Sequence, residues 1–148
     1  APMPVAKAMA ALQSQTTTGA NHPAQWAAAT AFVDEAVERD VQKMVAAFHL
    51  RRDRVVERFR QEAPGVGFVE PTGVFYFFFR VDGVTPGHDC TGTVFCEQAM
   101  AAGVAMVPGA AFGDDHWVRM SYAASDKDLD TALERLFGLI RRLGARAA

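Results

Sequence analysis

The residue with the clearest chemical potential is Arg119, which lies in an otherwise apolar and aromatic run, Trp117-Val118-Arg119-Met120-Ser121-Tyr122. A guanidinium in such a run either faces water or pairs with an anion, because burying it without a partner is costly. Two interpretations are open on this pattern. Arg119 is a surface-facing strand residue, with Val118 and Met120 on the opposite face, or it is a clamp for a substrate carboxylate. The planar fork of arginine suits two carboxylate oxygens better than lysine does.

The remaining candidate groups carry weaker signals. Acids adjoin histidines in His88-Asp89 and in Asp114-Asp115-His116, but such clusters are more typical of solvated turns, and we expect no metal. Cys90 and Cys96 fit neither a zinc pattern nor a disulfide framework, so we interpret both as buried thiols in a reducing compartment. The sequence has no phosphate-loop, dinucleotide-binding, serine-hydrolase or zinc-protease motif.

The composition is that of a globular domain. Of the 148 residues, 50% are hydrophobic and 22% are charged, which argues against a disordered or fibrous chain. The net charge of −2 gives no general attraction to nucleic acid. Because no apolar run approaches the roughly 20 residues that span a bilayer, we expect a soluble, cytoplasmic protein without a nucleic-acid or membrane partner.

Helix-favouring composition and periodic apolar positions predict five helices, over residues 4–14, 24–32, 34–62, 91–102 and 126–144. The third is a long amphipathic helix of the kind that bridges two lobes. Its apolar stripe consists of Val37, Val41, Met44, Val45, Phe48, Val55, Val56 and Phe59. Ser125, with Asp128 three residues later, forms a capping-box variant that starts the last helix.

Strand signals fall between the later helices. Residues 66–70 alternate, and the nearly continuous aromatic run from Val74 to Phe79 predicts a strand covered on both faces. Two more strands are predicted over residues 104–107 and 117–122. This order indicates an α/β fold in which a small antiparallel or mixed sheet packs against helices.

Several ordered motifs resemble one family. Residues 104–113 and 116–125 are similar to the C-terminal signature of class I/II aminotransferases of the aspartate aminotransferase family. Residues 12–18 with 24–27 look like the family's segment entering its small domain, and residues 69–76 resemble its turn and aromatic strand. Because the gaps between the motifs also match, the resemblance extends over nearly the whole chain.

The resemblance implies a pyridoxal-phosphate (PLP) enzyme of fold type I, a homodimer that moves an amino group between an amino acid and a 2-oxo acid. It implies that Arg119 grips the substrate α-carboxylate. Phe112 would belong to the flexible stretch that helps to close the small domain over substrate. Gly73 would lie at a turn near the active site, where a side chain would crowd the substrate, although an ordinary turn glycine remains an alternative.

The resemblance also implies that the cofactor site lies largely elsewhere. Such an enzyme needs a Schiff-base lysine, and none of Lys7, Lys43 and Lys127 is in a motif like the family's. We therefore expect a C-terminal part of an aminotransferase, inactive alone. Residues 1–33 would join an absent large cofactor domain, and residues 34–148 would form the small domain with its long interdomain helix.

Two alternatives stay open at this point. The chain could be a non-catalytic amino-acid-sensing or assembly module derived from the same domain. It could also belong to a PLP-dependent C–S or β-lyase on the same scaffold, because such enzymes share the carboxylate-binding arginine.

Overall fold

The computed structural model describes residues 1–82, 84 and 90–146 of the chain, which divides into two compact units, Ala1–Met44 and Val45–Ala148. The first unit contains helix α1 (Met3–Thr16), helix α2 (His22–Ala31) and the beginning of helix α3 (Glu35–Glu62). The Asn21 side chain caps α2 by accepting a hydrogen bond from the Ala24 backbone N–H at 3.1 Å. This cap explains why α2 begins two residues before the predicted start.

The second unit is built on a four-stranded antiparallel sheet. Its strands are β1 (Phe68–Val69), β2 (Tyr76–Arg80), β3 (Val107–Pro108) and β4 (Trp117–Ser121), in the spatial order β1-β2-β4-β3. A 3₁₀ helix (Gly109–Phe112) separates β3 from β4, while α4 (Gly92–Ala101) and α5 (Asp126–Arg146) complete the unit. The predicted α/β fold is confirmed, with a short 3₁₀ helix where the sequence suggested a loop.

One face of the sheet carries the hydrophobic core. Phe77 and Phe79 of β2 and Val118 of β4 are fully buried. They pack with rings from the helices: Phe59 of α3 lies 4.5 Å from Phe77 and 5.0 Å from Phe137 of α5 between ring centroids. The expectation that β2 is covered on both faces is wrong for the described residues, because Tyr76 and Phe78 are only partly buried. The strand within this continuous aromatic run therefore has one buried face and one partly exposed face.

The long helix α3 is confirmed, but its apolar stripe is only partly covered by the described residues. Val55, Val56 and Phe59 are buried, whereas Val41 and Met44 are 37% and 55% exposed. The amphipathic pattern predicted the helix correctly, but it did not show which residues of the apolar stripe are buried and which are exposed.

Ion pairs join α5 to the C-terminal half of α3, and a local cap begins α5. The Arg51 guanidinium bonds the Asp126 carboxylate at 2.9 Å, and Arg141 bonds Glu62 at 3.1 Å. The predicted capping box is present: the Asp128 backbone N–H donates to the Ser125 hydroxyl, which donates to the Asp128 carboxylate. These contacts lie on the partly exposed rim of the core, where single ion pairs contribute little.

Cys90 and Cys96 are both buried, and no disulfide joins them. Burial, and to a smaller extent the nearby Asp115 carboxylate, raises the pKa of the Cys96 thiol to about 11. None of the described helices combines the length and the apolar character that crossing a membrane requires.

Candidate functional site

Arg119 lies at the centre of β4, on the sheet face opposite the core. The strand alternates, so that Trp117, Arg119 and Ser121 share one face while Val118 and Met120 are buried on the other. Arg119 pairs directly with Phe78 of β2 in the antiparallel register. This register brings the aromatic side chains on the same face of β2 next to the guanidinium.

Two aromatic rings flank the guanidinium. The Cζ atom of Arg119 lies 4.2 Å from the centre of the Tyr76 ring and 4.6 Å from the centre of the Phe112 ring, well within the range of cation–π attraction. Arg119 makes no hydrogen bond or ion pair with any of the residues the structure describes. It is thus a partly buried cation whose charge is stabilised by ring faces while its N–H donors remain available.

The guanidinium borders a small cavity. Arg119 and Tyr76 line this cavity of about 150 Å³, together with Ser121 and the segment 105–107 that leads into β3. A carboxylate is small enough for this space, and a planar guanidinium can bond both of its oxygens. The arrangement therefore suits a small anion better than a bulky one.

Phe112 is placed by its short helix. It is 50% exposed at the end of the 3₁₀ helix, which stops at Gly113 in the left-handed conformation, with φ of +98°. Gly109 at the start of this helix packs so closely that an added Cβ would overlap the Asp114 carbonyl oxygen. The Phe112 ring also makes an edge-to-face contact with Phe78 at 6.0 Å.

Gly73 lies in the turn that precedes β2. It borders a cavity of about 340 Å³ that Tyr76 and Phe78 also line, and an added Cβ would meet no described atom within 4 Å. The left-handed conformation belongs instead to Val74, with φ of +57°, which is unusual for a β-branched residue. The structure thus brings Arg119 and Phe112 together and links Gly73 to them through Tyr76.

Tyr122 holds the turn that contains Gly73. Its hydroxyl donates a hydrogen bond of 2.9 Å to the Val74 carbonyl, and its backbone N–H donates to the Phe75 carbonyl at 3.0 Å. Burial raises the pKa of the Tyr122 phenol, with a weaker opposing effect from Arg52. The phenol therefore stays protonated and keeps its donor role at neutral pH.

The carboxylates of the acidic loop before β4 accept hydrogen bonds from neighbouring residues and thereby stabilise the local fold. The Asp115 carboxylate accepts hydrogen bonds from the Thr93 backbone N–H and hydroxyl, both at 3.0 Å, at the start of α4, and Asp114 accepts one from the His116 N–H. Within the ranges 1–82, 84 and 90–146, no three His, Cys, Asp or Glu side chains form a metal-binding group. His88 and Asp89 lie outside the described residues.

Sequence reasoning missed Tyr76 as a neighbour of Arg119, and it missed the strained Val74. The aromatic run of β2 shows no alternation of residue type, so the sequence did not indicate that Tyr76 and Arg119 share a face. The contact itself depends on the register between β2 and β4, which no local pattern specifies.

Comparison with known proteins agrees with this fold. The family model described as aminotransferase class I and II matches residues 1–136. An aspartate aminotransferase from Thermotoga maritima is 41% identical over 133 residues, covering 89% of this chain and 32% of that protein. An aspartate/prephenate aminotransferase from Thermus thermophilus is 36% identical over 142 residues, covering 95% of this chain and 35% of that protein.

Solved structures give the same result. A variant of Thermus thermophilus aspartate aminotransferase complexed with tryptophan matches 93% of this chain and 35% of its own, with a TM-score of 0.81 and 35% identity. An aromatic aminotransferase from Pyrococcus horikoshii matches 84% of this chain and 32% of its own, with a TM-score of 0.73 and 33% identity.

The fold and the matches define a class of protein: this chain belongs to the class I and II aminotransferase family. Enzymes of this family are PLP-dependent. The chain spans about a third of the length of the curated relatives that it matches.

The residues present do not form a PLP site by themselves. Lys7, Lys43 and Lys127 are all exposed, and none lines the cavities around Arg119 or Gly73. The Lys43 ammonium instead pairs with Asp40 on the surface of α3, at 2.9 Å. No reaction step on the cofactor is therefore assigned to this chain.

Proposed function

We propose that the chain is the small, C-terminal domain of a PLP-dependent aminotransferase, and that Arg119 binds the α-carboxylate of the amino acid and 2-oxo acid substrates. Residues 1–33 would join it to a larger domain that supplies the lysine and the other cofactor contacts. The complete enzyme would act as a homodimer, and the 148-residue chain alone would not transaminate.

The observation that carries this proposal is the state of the Arg119 guanidinium. Most arginines near the sheet and on α3 are paired with carboxylates, such as Arg80 with Asp82 on the same sheet face. Arg119 has two ring contacts, an adjoining cavity and no acidic partner among the described residues. A partly buried cation of this kind favours a bound anion, because a charge-assisted bidentate pair offsets the cost of its desolvation.

Arg119 would orient the substrate rather than take part in proton transfer, because a guanidinium stays protonated at any physiological pH. Fixing both carboxylate oxygens removes much of the translational and rotational freedom of the substrate, which lowers the entropic cost of reaction. Hydrogen bonds to a charged group contribute about 1.5–3 kcal/mol each. Because association itself costs several kcal/mol, Arg119 alone would bind a carboxylate only weakly. The remaining affinity would come from the complete enzyme.

The experiment is a product analysis on the complete protein, with PLP, amino donors such as aspartate and tyrosine, and 2-oxoglutarate. Transamination predicts glutamate and the donor's oxo acid in equal amounts without ammonia. Ammonia release from β-substituted amino acids would instead identify a lyase, and amino-acid binding without turnover would identify a sensor.

Arg119→Lys tests the role of the residue within the same assay. It keeps the charge but loses the two-pronged geometry, so we expect KM for the amino donor to rise about tenfold or more. Arg80→Lys is the matched control, because Arg80 lies on the same sheet face but is paired with Asp82. Equal KM values for the two variants would remove Arg119 from the site.

A further inference from the structure

We propose that Tyr76 and Phe112 are positioning residues that hold the Arg119 guanidinium ready for the substrate carboxylate. This inference rests on the proposed role of Arg119. The two rings come from different elements, β2 and the 3₁₀ helix, and both lie within 4.6 Å of the same Cζ atom. Two independent ring contacts on one cation define its location much better than one contact does.

The physical need for such a pair follows from the arginine side chain. A free arginine samples many rotamers, and ordering it on binding costs affinity. The rings reduce this cost before the substrate arrives, since each ring attracts the cation to a position over its face. A carboxylate at the same position would fix the guanidinium too, but it would occupy the N–H donors that the substrate needs.

The surroundings of the rings are arranged to keep them in place. Phe112 contacts Phe78 edge-to-face, and Phe78 is stacked on Trp117 with centroids 5.1 Å apart and planes 10° apart. Tyr76 is fixed by its place in β2, opposite Ser121 of β4. Phe112 is the more exposed of the two rings, so its removal tests the proposal with little risk to the fold.

The test uses the complete enzyme and four variants. Tyr76→Leu and Phe112→Leu remove a ring but keep apolar bulk, whereas Tyr76→Phe and Phe112→Tyr keep the ring. We expect each leucine variant to raise KM for the amino donor about threefold to tenfold. The ring-preserving variants should stay within twofold of the unmodified enzyme, as should kcat and the dissociation constant of PLP for all four.

Arg60 and Phe68 offer a control of matched chemistry. They form a separate cation–π pair at 6.0 Å, and Phe68→Leu removes its ring. Any loss of stability common to ring removal would appear in that variant as a lower unfolding temperature, while its KM should not change.

A double-mutant cycle separates positioning from direct contact with the substrate. In an Arg119→Met background, Tyr76→Leu and Phe112→Leu should produce no further rise in KM, because their effect passes through the guanidinium. Additive effects, or unchanged KM in both leucine variants, would overturn the positioning role of Tyr76 and Phe112 while leaving the role of Arg119 intact. An unchanged KM in Arg119→Met itself would overturn the proposed function instead. Dissociation constants of maleate and 3-phenylpropionate, two carboxylates without an amino group, provide a readout independent of turnover.

Discussion

The two faces of the same small sheet differ in what their side chains contact. On one face, Phe77, Phe79 and Val118 are fully buried against the helices. On the other, Tyr76, Phe78 and Arg119 are partly exposed: Arg119 contacts the rings of Tyr76 and Phe112, and Phe78 contacts those of Phe112 and Trp117. Alternate residues of the same two strands therefore carry the stability of the unit on one face and the candidate binding site on the other.

This difference explains how the fold accommodates Arg119, a charged group without an acidic partner among the described residues. The core face supplies apolar burial that does not depend on the site. The site face then accommodates the Arg119 cation, because the rings of Tyr76 and Phe112 compensate part of its desolvation. Substitutions on the two faces should consequently produce different kinds of defect.

The largest expected effect is on the core face. Phe79→Ala should lower the free energy of unfolding by about 3–5 kcal/mol, since it removes a fully buried ring and leaves a cavity between the sheet and α3. Urea denaturation of the chain, followed by circular dichroism, measures this loss. Phe112→Ala on the site face is the comparison, and an equal loss there would erase the distinction between the two faces.

Tyr122 connects the two faces, and its hydroxyl should have a smaller effect. Tyr122→Phe keeps the buried ring but leaves the Val74 carbonyl without its hydrogen bond, so we expect a loss of about 1 kcal/mol. Tyr76→Phe provides the control, because the Tyr76 hydroxyl has no hydrogen-bond partner in the described part of the chain. Equal unfolding midpoints for the two variants would show that the Val74 turn does not depend on Tyr122.

The smallest expected effect is the pH dependence of stability that arises from Glu62 and Asp126 at the rim of the core. Hydrogen bonds from Arg58, and secondarily Arg141, lower the pKa of Glu62, and the Arg51 guanidinium lowers the pKa of Asp126. The folded state thus binds these protons less tightly than the unfolded state. Their contribution to the free energy of unfolding is complete above the ordinary pKa values, 4.5 for Glu62 and 3.8 for Asp126. It is lost as the pH falls through the lowered pKa values of the folded state.

Urea midpoints between pH 6 and pH 2.5 measure this loss. Glu62→Gln should flatten part of the pH dependence, whereas Arg119→Met should leave the slope unchanged because Arg119 lies away from these pairs. A slope that Glu62→Gln does not alter would place the acid sensitivity in other groups.

Much of the fold could be predicted because its signals are local. The spacing of Leu129, Leu133 and Leu136 marks the buried face of α5, and all three are at most 1% exposed. The alternation around Arg119 correctly put Val118 and Met120 on the opposite face. These patterns depend only on the period of the element in which they occur.

The site could be predicted only in part because its contacts depend on register. Arg119 and Phe112 were proposed as site residues from the sequence and its family resemblance, but their proximity requires the 3₁₀ helix, which the small-residue segment did not reveal. Tyr76 was hidden in a continuous aromatic run, where no alternation distinguishes the faces. The left-handed Val74 breaks the conformational preference of its own residue type, so no local rule would predict it.

The most direct test of the account compares two readouts in Arg119→Met of the complete protein: KM for the amino donor, and the free energy of unfolding of the chain. We predict a rise in KM of about 30-fold or more, with a stability change within about 0.5 kcal/mol and an unchanged dissociation constant for PLP. An unchanged KM, or a stability loss comparable to that of Phe79→Ala, would contradict the assignment of Arg119 to a binding face separate from the core.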